Sequence, residues 1–176
     1  MTTNIQSALD KAKPAEASEA ILLELFCTSH KGDGSDWDKR VEAAWEKQYG
    51  YAFETDGGSS GGSRPSFALY GPPGHGKTAS FTQAGKTFAK LMGLNFVPSP
   101  PVGFVPTKDD FVFISIEMAG EVSNQSVGGI PTKSSFRTDD GEEHAVMDKL
   151  ISRQFLQLQV AGGGILLFDD FNNAVH

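Results

Sequence analysis

Gly71 to Thr78 read GPPGHGKT, which satisfies the spacing G-x-x-x-x-G-K-[ST]. The chemistry this pattern serves is phosphate binding. Glycines let the backbone curl until successive N–H groups point inward at an anion, and a helix that follows adds its positive N-terminus. In this reading Gly71, Pro72, Pro73, Gly74, His75, Gly76, Lys77, Thr78 and Ala79 form the cradle. Lys77 sets a point charge against the β- and γ-phosphates, and the Thr78 hydroxyl holds Mg²⁺. His75 occupies a permissive position, where it is expected to be a side chain on a turn.

A second constellation lies far downstream. Ile165 to Asp170 read ILLFDD, four apolar residues running into two carboxylates. On a buried strand beside the phosphate loop, Asp169 would reach Mg²⁺, and Asp170 would sit where a base polarises an attacking water. Taken alone, two acids after a buried strand are equally a solvated turn; the upstream loop is what gives them a ligand to serve.

These motifs need elements to position them. Ser66–Tyr70 (SFALY) reads as a short strand entering the loop, and Thr78–Met92 as a helix with Phe81, Ala84, Phe88, Leu91 and Met92 on one face, stopped by Gly93. Phe111–Glu117 (FVFISIE) is rich in β-formers. Glu142–Val160 repeats apolar residues at Val146, Met147, Leu150, Ile151, Phe155 and Leu158, which predicts a helix ended by Gly162 to Gly164. Ile165–Phe168 is apolar on both faces. Such strands alternating with amphipathic helices predict an α/β fold with a parallel sheet flanked by helices.

Upstream, Ala15–Phe26 places Ala17, Ile21 and Leu25 at helical spacing. A second helix starting at Ser35 or Asp36 aligns Trp37, Val41, Ala44, Trp45 and Gln48, with both tryptophans expected to be packing residues. The run Gly57–Ser63 holds four Gly and three Ser, a composition of flexible coil. The expected organisation is a helical segment 1–54, a linker 55–65 and a nucleotide-binding core 66–176.

Composition narrows the function classes. The chain has 176 residues, 39% apolar and 21% charged, which suits one ordinary domain. Cys27 is the single cysteine, and no second Cys or clustered His pair has metal-ligand spacing, which excludes a disulfide scaffold or a zinc module. Twenty-two acids against fifteen bases give a net charge of −7, so the chain as a whole carries no footprint for nucleic acid or an anionic membrane. No stretch approaches the roughly 18 apolar residues of a membrane span, and the start, Thr2, Thr3 and Asn4, lacks the basic and apolar regions of a secretory signal. A cytoplasmic protein is expected.

The phosphate loop spelled GPPGxGKT, the Gly-rich lead into an apolar strand ending in two acids, and Asn-x-Ala just after them resemble the AAA+ ATPases. Ser126–Pro131 (SVGGIP) followed by GGGILLFDDFNNA is similar to the MoxR-like branch. The resemblance runs from about Phe67 to Ala174. It implies a P-loop nucleotide-binding core, ATP as ligand, Mg²⁺-dependent hydrolysis with Lys77 and Asp170 as catalytic residues, Thr78 and Asp169 at the metal, a hexameric ring, and a client protein that is remodelled or activated.

Three departures bear on activity. The family ends the Walker-B strand in Asp-Glu, and here the second acid is Asp170, one methylene shorter. Asn172 and Asn173 stand where the family often has Asn-Arg. The span from Lys77 to Asp169 exceeds a minimal core, with the excess expected as exposed loops at Pro98–Asp110 and Thr132–Glu142. The resemblance further implies two more strands, a polar sensor, an arginine finger and a helical lid after the Walker-B strand; Arg137 and Arg153 both precede it, so neither matches the finger. The sequence up to His176 thus reads as the front portion of a larger ATPase, incomplete at its C-terminal side, with very slow or no turnover by itself. Two other readings stand beside it: an ATP-binding switch or assembly module with little hydrolysis, and a P-loop small-molecule kinase, the latter disfavoured because no Arg follows Arg153.

Overall fold

The structure, a computed structural model, describes residues 13–54, 68–72, 74–118, 130–150 and 152–169. Helix α1 spans Pro14–Ser29. Pro14 suits the first turn, where its missing N–H has no partner to lose, and Glu16 reaches back to accept from the Lys13 amide at 2.9 Å. Its buried seam is Ala17, Ile21, Leu22 and Phe26. Leu25, expected on that seam, is half-buried beside it.

Helix α2 spans Asp36–Tyr49, capped by Ser35, whose hydroxyl accepts from the Asp38 amide, and closed by Gly50 in the left-handed region. Val41, Ala44 and Trp45 are buried as expected, whereas Gln48 is exposed and Tyr49 turns inward instead. Asp38 is a buried carboxylate that the sequence pattern does not single out. It accepts from the amides of Lys31 at 2.8 Å, Asp33 at 2.8 Å and Gly34 at 3.1 Å, and so pins the loop between α1 and α2. Burial pushes its carboxyl up, but the amide hydrogen bonds and the nearby His30 outweigh that, and the net shift is below the ordinary carboxylate value.

Helix α3 spans Lys77–Leu91 and buries Phe81, Ala84, Phe88 and Ala89, with Gly93 ending it in the left-handed region. α1 and α2 do not stand apart from it. Phe26 packs edge-on against Trp45 at 5.6 Å and against Phe88 at 5.1 Å between ring centres, so residues from both early helices and α3 share one core. The linker 55–65 lies outside the described residues.

Strands β1 (Asn95–Pro98), β2 (Asp110–Glu117) and β5 (Gly163–Asp169) form a parallel sheet in the order β1-β2-β5. Phe111, Phe113 and Ile165 face α3; Val112 and Ile114 face the opposite side with Leu158 of helix α4 (Arg153–Val160). Among the described residues the fold is α/β, a three-stranded parallel sheet with helices on both faces.

Three expectations change. β1 was not anticipated, because four residues carry too little periodicity to declare a strand; its pairing with β2 makes it one. Ala68–Tyr70, the described part of the expected Ser66–Tyr70 strand, is not in a strand; Leu69 is half-buried against the main core. The expected helix over Glu142–Val160 is instead strand β4 (Glu143–Leu150) followed by α4. β4 pairs antiparallel with β3 (Ile130–Arg137), and Thr138–Glu142 is the turn between them. Asp140-Gly141, with Gly141 at φ 90°, is a hairpin signal that outranks the helical spacing. Alternation then sends Val146 and Met147 to opposite faces, leaving Met147 77% exposed. The expected loop Thr132–Glu142 is thus mostly strand, while residues 99–109 are the loop foreseen, with Val102 and Val105 exposed. That loop is tied down where Gln157 donates to the Phe104 carbonyl at 2.8 Å and where Asp110 accepts from the amide and hydroxyl of Thr107.

Candidate functional site

The C-terminal ends of parallel strands, together with the N-terminus of the helix packed on them, are where α/β sheets place ligands. Here that end brings together Thr78 and Asp169, two of the residues the sequence singled out. Gly74 and Gly76 both adopt positive φ, 78° and 76°. A side chain at Gly74 would meet nothing within 4 Å, so glycine is required there by backbone conformation and not by space. Gly76 caps α3, leaving the first-turn amides of Lys77, Thr78 and Ala79 without intrahelical carbonyls. Free N-terminal amides and the helix dipole are features that favour an anion.

Lys77 curls back over the loop, its Nζ donating to the carbonyls of Gly71 at 3.0 Å and Pro72 at 3.1 Å. Both acceptors are neutral, so an anionic phosphate can replace them at no cost in hydrogen-bond count. Thr78, one residue into the helix, donates its hydroxyl to Oδ2 of Asp169, ninety-one positions later in the chain. The start of α3 and the end of β5 therefore meet. The hydroxyl and carboxylate are hard oxygen donors, the set that Mg²⁺ takes while keeping most of its waters. Among the described residues no cluster of three His, Cys, Asp or Glu offers an all-protein metal cage. The pair fits a metal shared with a phosphate ligand.

His75 and Ala79 are exposed, and Ala79 presents no group beyond its amide. Pro73 and Asp170 lie outside the described residues, as do Ser126–Gly129, Asn172 and Asn173.

Two features were missed at the level of sequence. Ser80 donates its hydroxyl toward the Gly76 carbonyl at 3.0 Å and the Pro14 carbonyl at 3.2 Å, and Pro14 lies 3.7 Å from where a Gly76 side chain would begin. The first turn of α1 thus abuts the loop. No local pattern links positions so far apart. The second is Glu117, which ends β2 in register with Asp169 at the end of β5; the Met118 amide donates to the Asp169 carbonyl at 2.8 Å. An acid closing an apolar strand was the available signal, the same one that marked Asp169.

No family model, no curated protein and no solved structure matches the chain. None of the helices in the described residues is long and apolar enough to cross a membrane.

Proposed function

We propose that the protein binds ATP with Mg²⁺ between the Gly71–Thr78 loop and the end of β5, and that it is an AAA+ ATPase of the MoxR-like type. The observation that carries this reading is the hydrogen bond from Thr78 to Asp169. A threonine after the loop lysine and an aspartate ending a parallel strand are not brought together by apolar packing, because neither is apolar. A phosphate-bound cation would use both, and that is what supports the reading.

In this reading the Gly74–Thr78 amides and the α3 N-terminus take the β- and γ-phosphates. Lys77 exchanges the Gly71 and Pro72 carbonyls for phosphate oxygens. Thr78 and Asp169 would hold Mg²⁺. Mg²⁺, when bound, supplies charge neutralisation on the phosphate oxygens. Remodelling of a client protein by a hexameric ring, in the cytoplasm, follows from the resemblance in the motifs. A second reading, an ATP-binding switch with little turnover, is favoured by Asp170 standing where that family carries Glu.

The deciding experiment is equilibrium binding of a fluorescent ATP analogue with and without Mg²⁺. Lys77→Ala should raise Kd by about tenfold or more, equivalent to about 1.4 kcal/mol. Equal affinity in Lys77→Ala and the parent would overturn the assignment. Phosphate release with bound ATP then separates hydrolase from switch.

A further inference from the structure

Of the three parallel strands, β1 ends in Pro98, β2 in Glu117 and β5 in Asp169. Glu117 and Asp169 are direct partners in the β2–β5 register. Partnered residues of a parallel pair project to the same side of the sheet, with backbones about 4.8 Å apart. Which side is settled by the packing of the residues before them. Phe111 and Phe113, at two-residue steps from Glu117, lie in the core with α3, as does Ile165, at a two-residue step pattern from Asp169. Val112 and Ile114 lie in the cluster on the other face. Glu117 is therefore on the α3 side, the side from which Thr78 reaches Asp169. It is exposed at the ligand end of the sheet, one strand away from the metal-side carboxylate, and it has the longer reach of a glutamate.

We infer that Glu117 is the catalytic carboxylate that orients and deprotonates the attacking water, the role that sequence alone gave to Asp170. The inference rests on the ATP-binding reading above. In the step it serves, the water oxygen forms a bond to the γ-phosphorus while the bond from that phosphorus to the β–γ bridging oxygen breaks. The electron pair of the broken bond leaves on the ADP oxygen. The proton of the water passes to the Glu117 carboxylate and then to solvent or the released phosphate. Asp169 is unsuited to this task, since in that reading it would hold the cation. Glu117 is adjacent but not so committed.

A carboxylate in this role contributes about 10²- to 10⁴-fold to rate and little to ground-state affinity. The test compares the parent, Glu117→Gln and Lys77→Ala, reading ATP affinity by titration and phosphate release under single-turnover conditions with protein in excess. Glu117→Gln should bind Mg·ATP within about threefold of the parent and release phosphate about 100-fold more slowly or worse, with Glu117→Asp recovering part of the rate. Circular dichroism should show all variants folded, because Glu117 is exposed. Phosphate release by Glu117→Gln within about threefold of the parent overturns the inference and leaves the binding site standing. So does a parent that binds ATP and releases no phosphate, or a Glu117→Gln variant that is folded but no longer binds ATP. Failure of the parent to bind ATP, or Lys77→Ala binding as well as the parent, refutes the underlying reading instead.

Discussion

Gly164→Ala is the substitution whose cost can be worked most directly from the structure. Gly164 pairs with Val112 across β2 and β5. A methyl built on it would sit 2.5 Å from the Val112 carbonyl oxygen and 2.6 Å from Cδ2 of Leu158. Both are about 1 Å short of ordinary contact. Leu158 can rotate aside, but the carbonyl is backbone in the central strand and moves only if β2 and β5 separate. Overpacking costs about 1–3 kcal/mol when side chains can yield, and the absence of a rotamer escape places this site near 3. At about 2–4 °C per kcal/mol for a chain of this size, the melting temperature should fall by about 6–12 °C. The same displacement reaches the site, because Asp169 lies on the same strand and must meet Thr78 on α3. Misplacement by about 1 Å can cost on the order of 10²-fold in a positioned interaction, so Mg²⁺-dependent ATP affinity should weaken with stability. Thermal unfolding followed by circular dichroism, with nucleotide titration at low temperature, reads both. Gly71→Ala serves as the stability control, since nothing lies within 4 Å of the added methyl. A Gly164→Ala protein melting within about 2 °C of the parent would refute the reasoning, because β5 would then not be held against β2 at the spacing described.

Other outcomes follow from the same contacts. Asp169→Asn should weaken ATP binding in the presence of Mg²⁺ but leave binding in EDTA nearly unchanged, a difference that titration in the two buffers measures. Thr78→Val should behave likewise, since it removes the hydroxyl and keeps the β-branched shape. Phe26→Ala removes a fully buried ring wedged between Trp45 and Phe88 and should cost about 3–5 kcal/mol in chemical denaturation; a cost below about 1 kcal/mol would show that α1 is not part of the core. Asp38, with its carboxyl held below the ordinary value, stabilises the fold above the usual carboxylate range. As pH falls, the unfolded chain takes up that proton first, so the contribution is lost on acidification through and below pH of about 4. Asp110, lowered chiefly by the Thr107 amide, acts in the same direction. Asp38→Asn should therefore be less stable than the parent at neutral pH and show a flatter acid limb in unfolding experiments.

Legibility differed by element for identifiable reasons. Helix α3 was readable because its core face, Phe81, Ala84 and Phe88, repeats over several turns and ends on Gly93. β2 and β5 were readable because each carries a continuous apolar run; β2 is buried along most of its length, whereas in β5 only Ile165 is fully buried. The stretch from Glu142 to Val160 misled because apolar residues spaced for a helix were divided between a strand and a short helix. Hydrogen bonding to β3 decided the first half; that partner lies just across the Thr138–Glu142 turn, before the window in which the helical spacing was read. The run before Gly71 misled in the opposite way: SFALY has strand composition, but Ala68–Tyr70 lies in no strand among the described residues, and composition cannot create a ladder.

By itself the sequence determined the chemistry on offer: a glycine-shaped loop with Lys77 and Thr78, and an apolar strand delivering Asp169. Local constraints suffice for that, since φ at Gly74 and Gly76 and the start of a helix depend on neighbours in the chain. Tertiary structure alone decided that Thr78 touches Asp169, that Glu117 stands beside it in register, and that α1 begins against the loop at Pro14. Each of these pairs residues that no local pattern connects. Their meeting is set by strand order, by parallel register and by which face of the sheet α3 covers, and those are properties of the packed core.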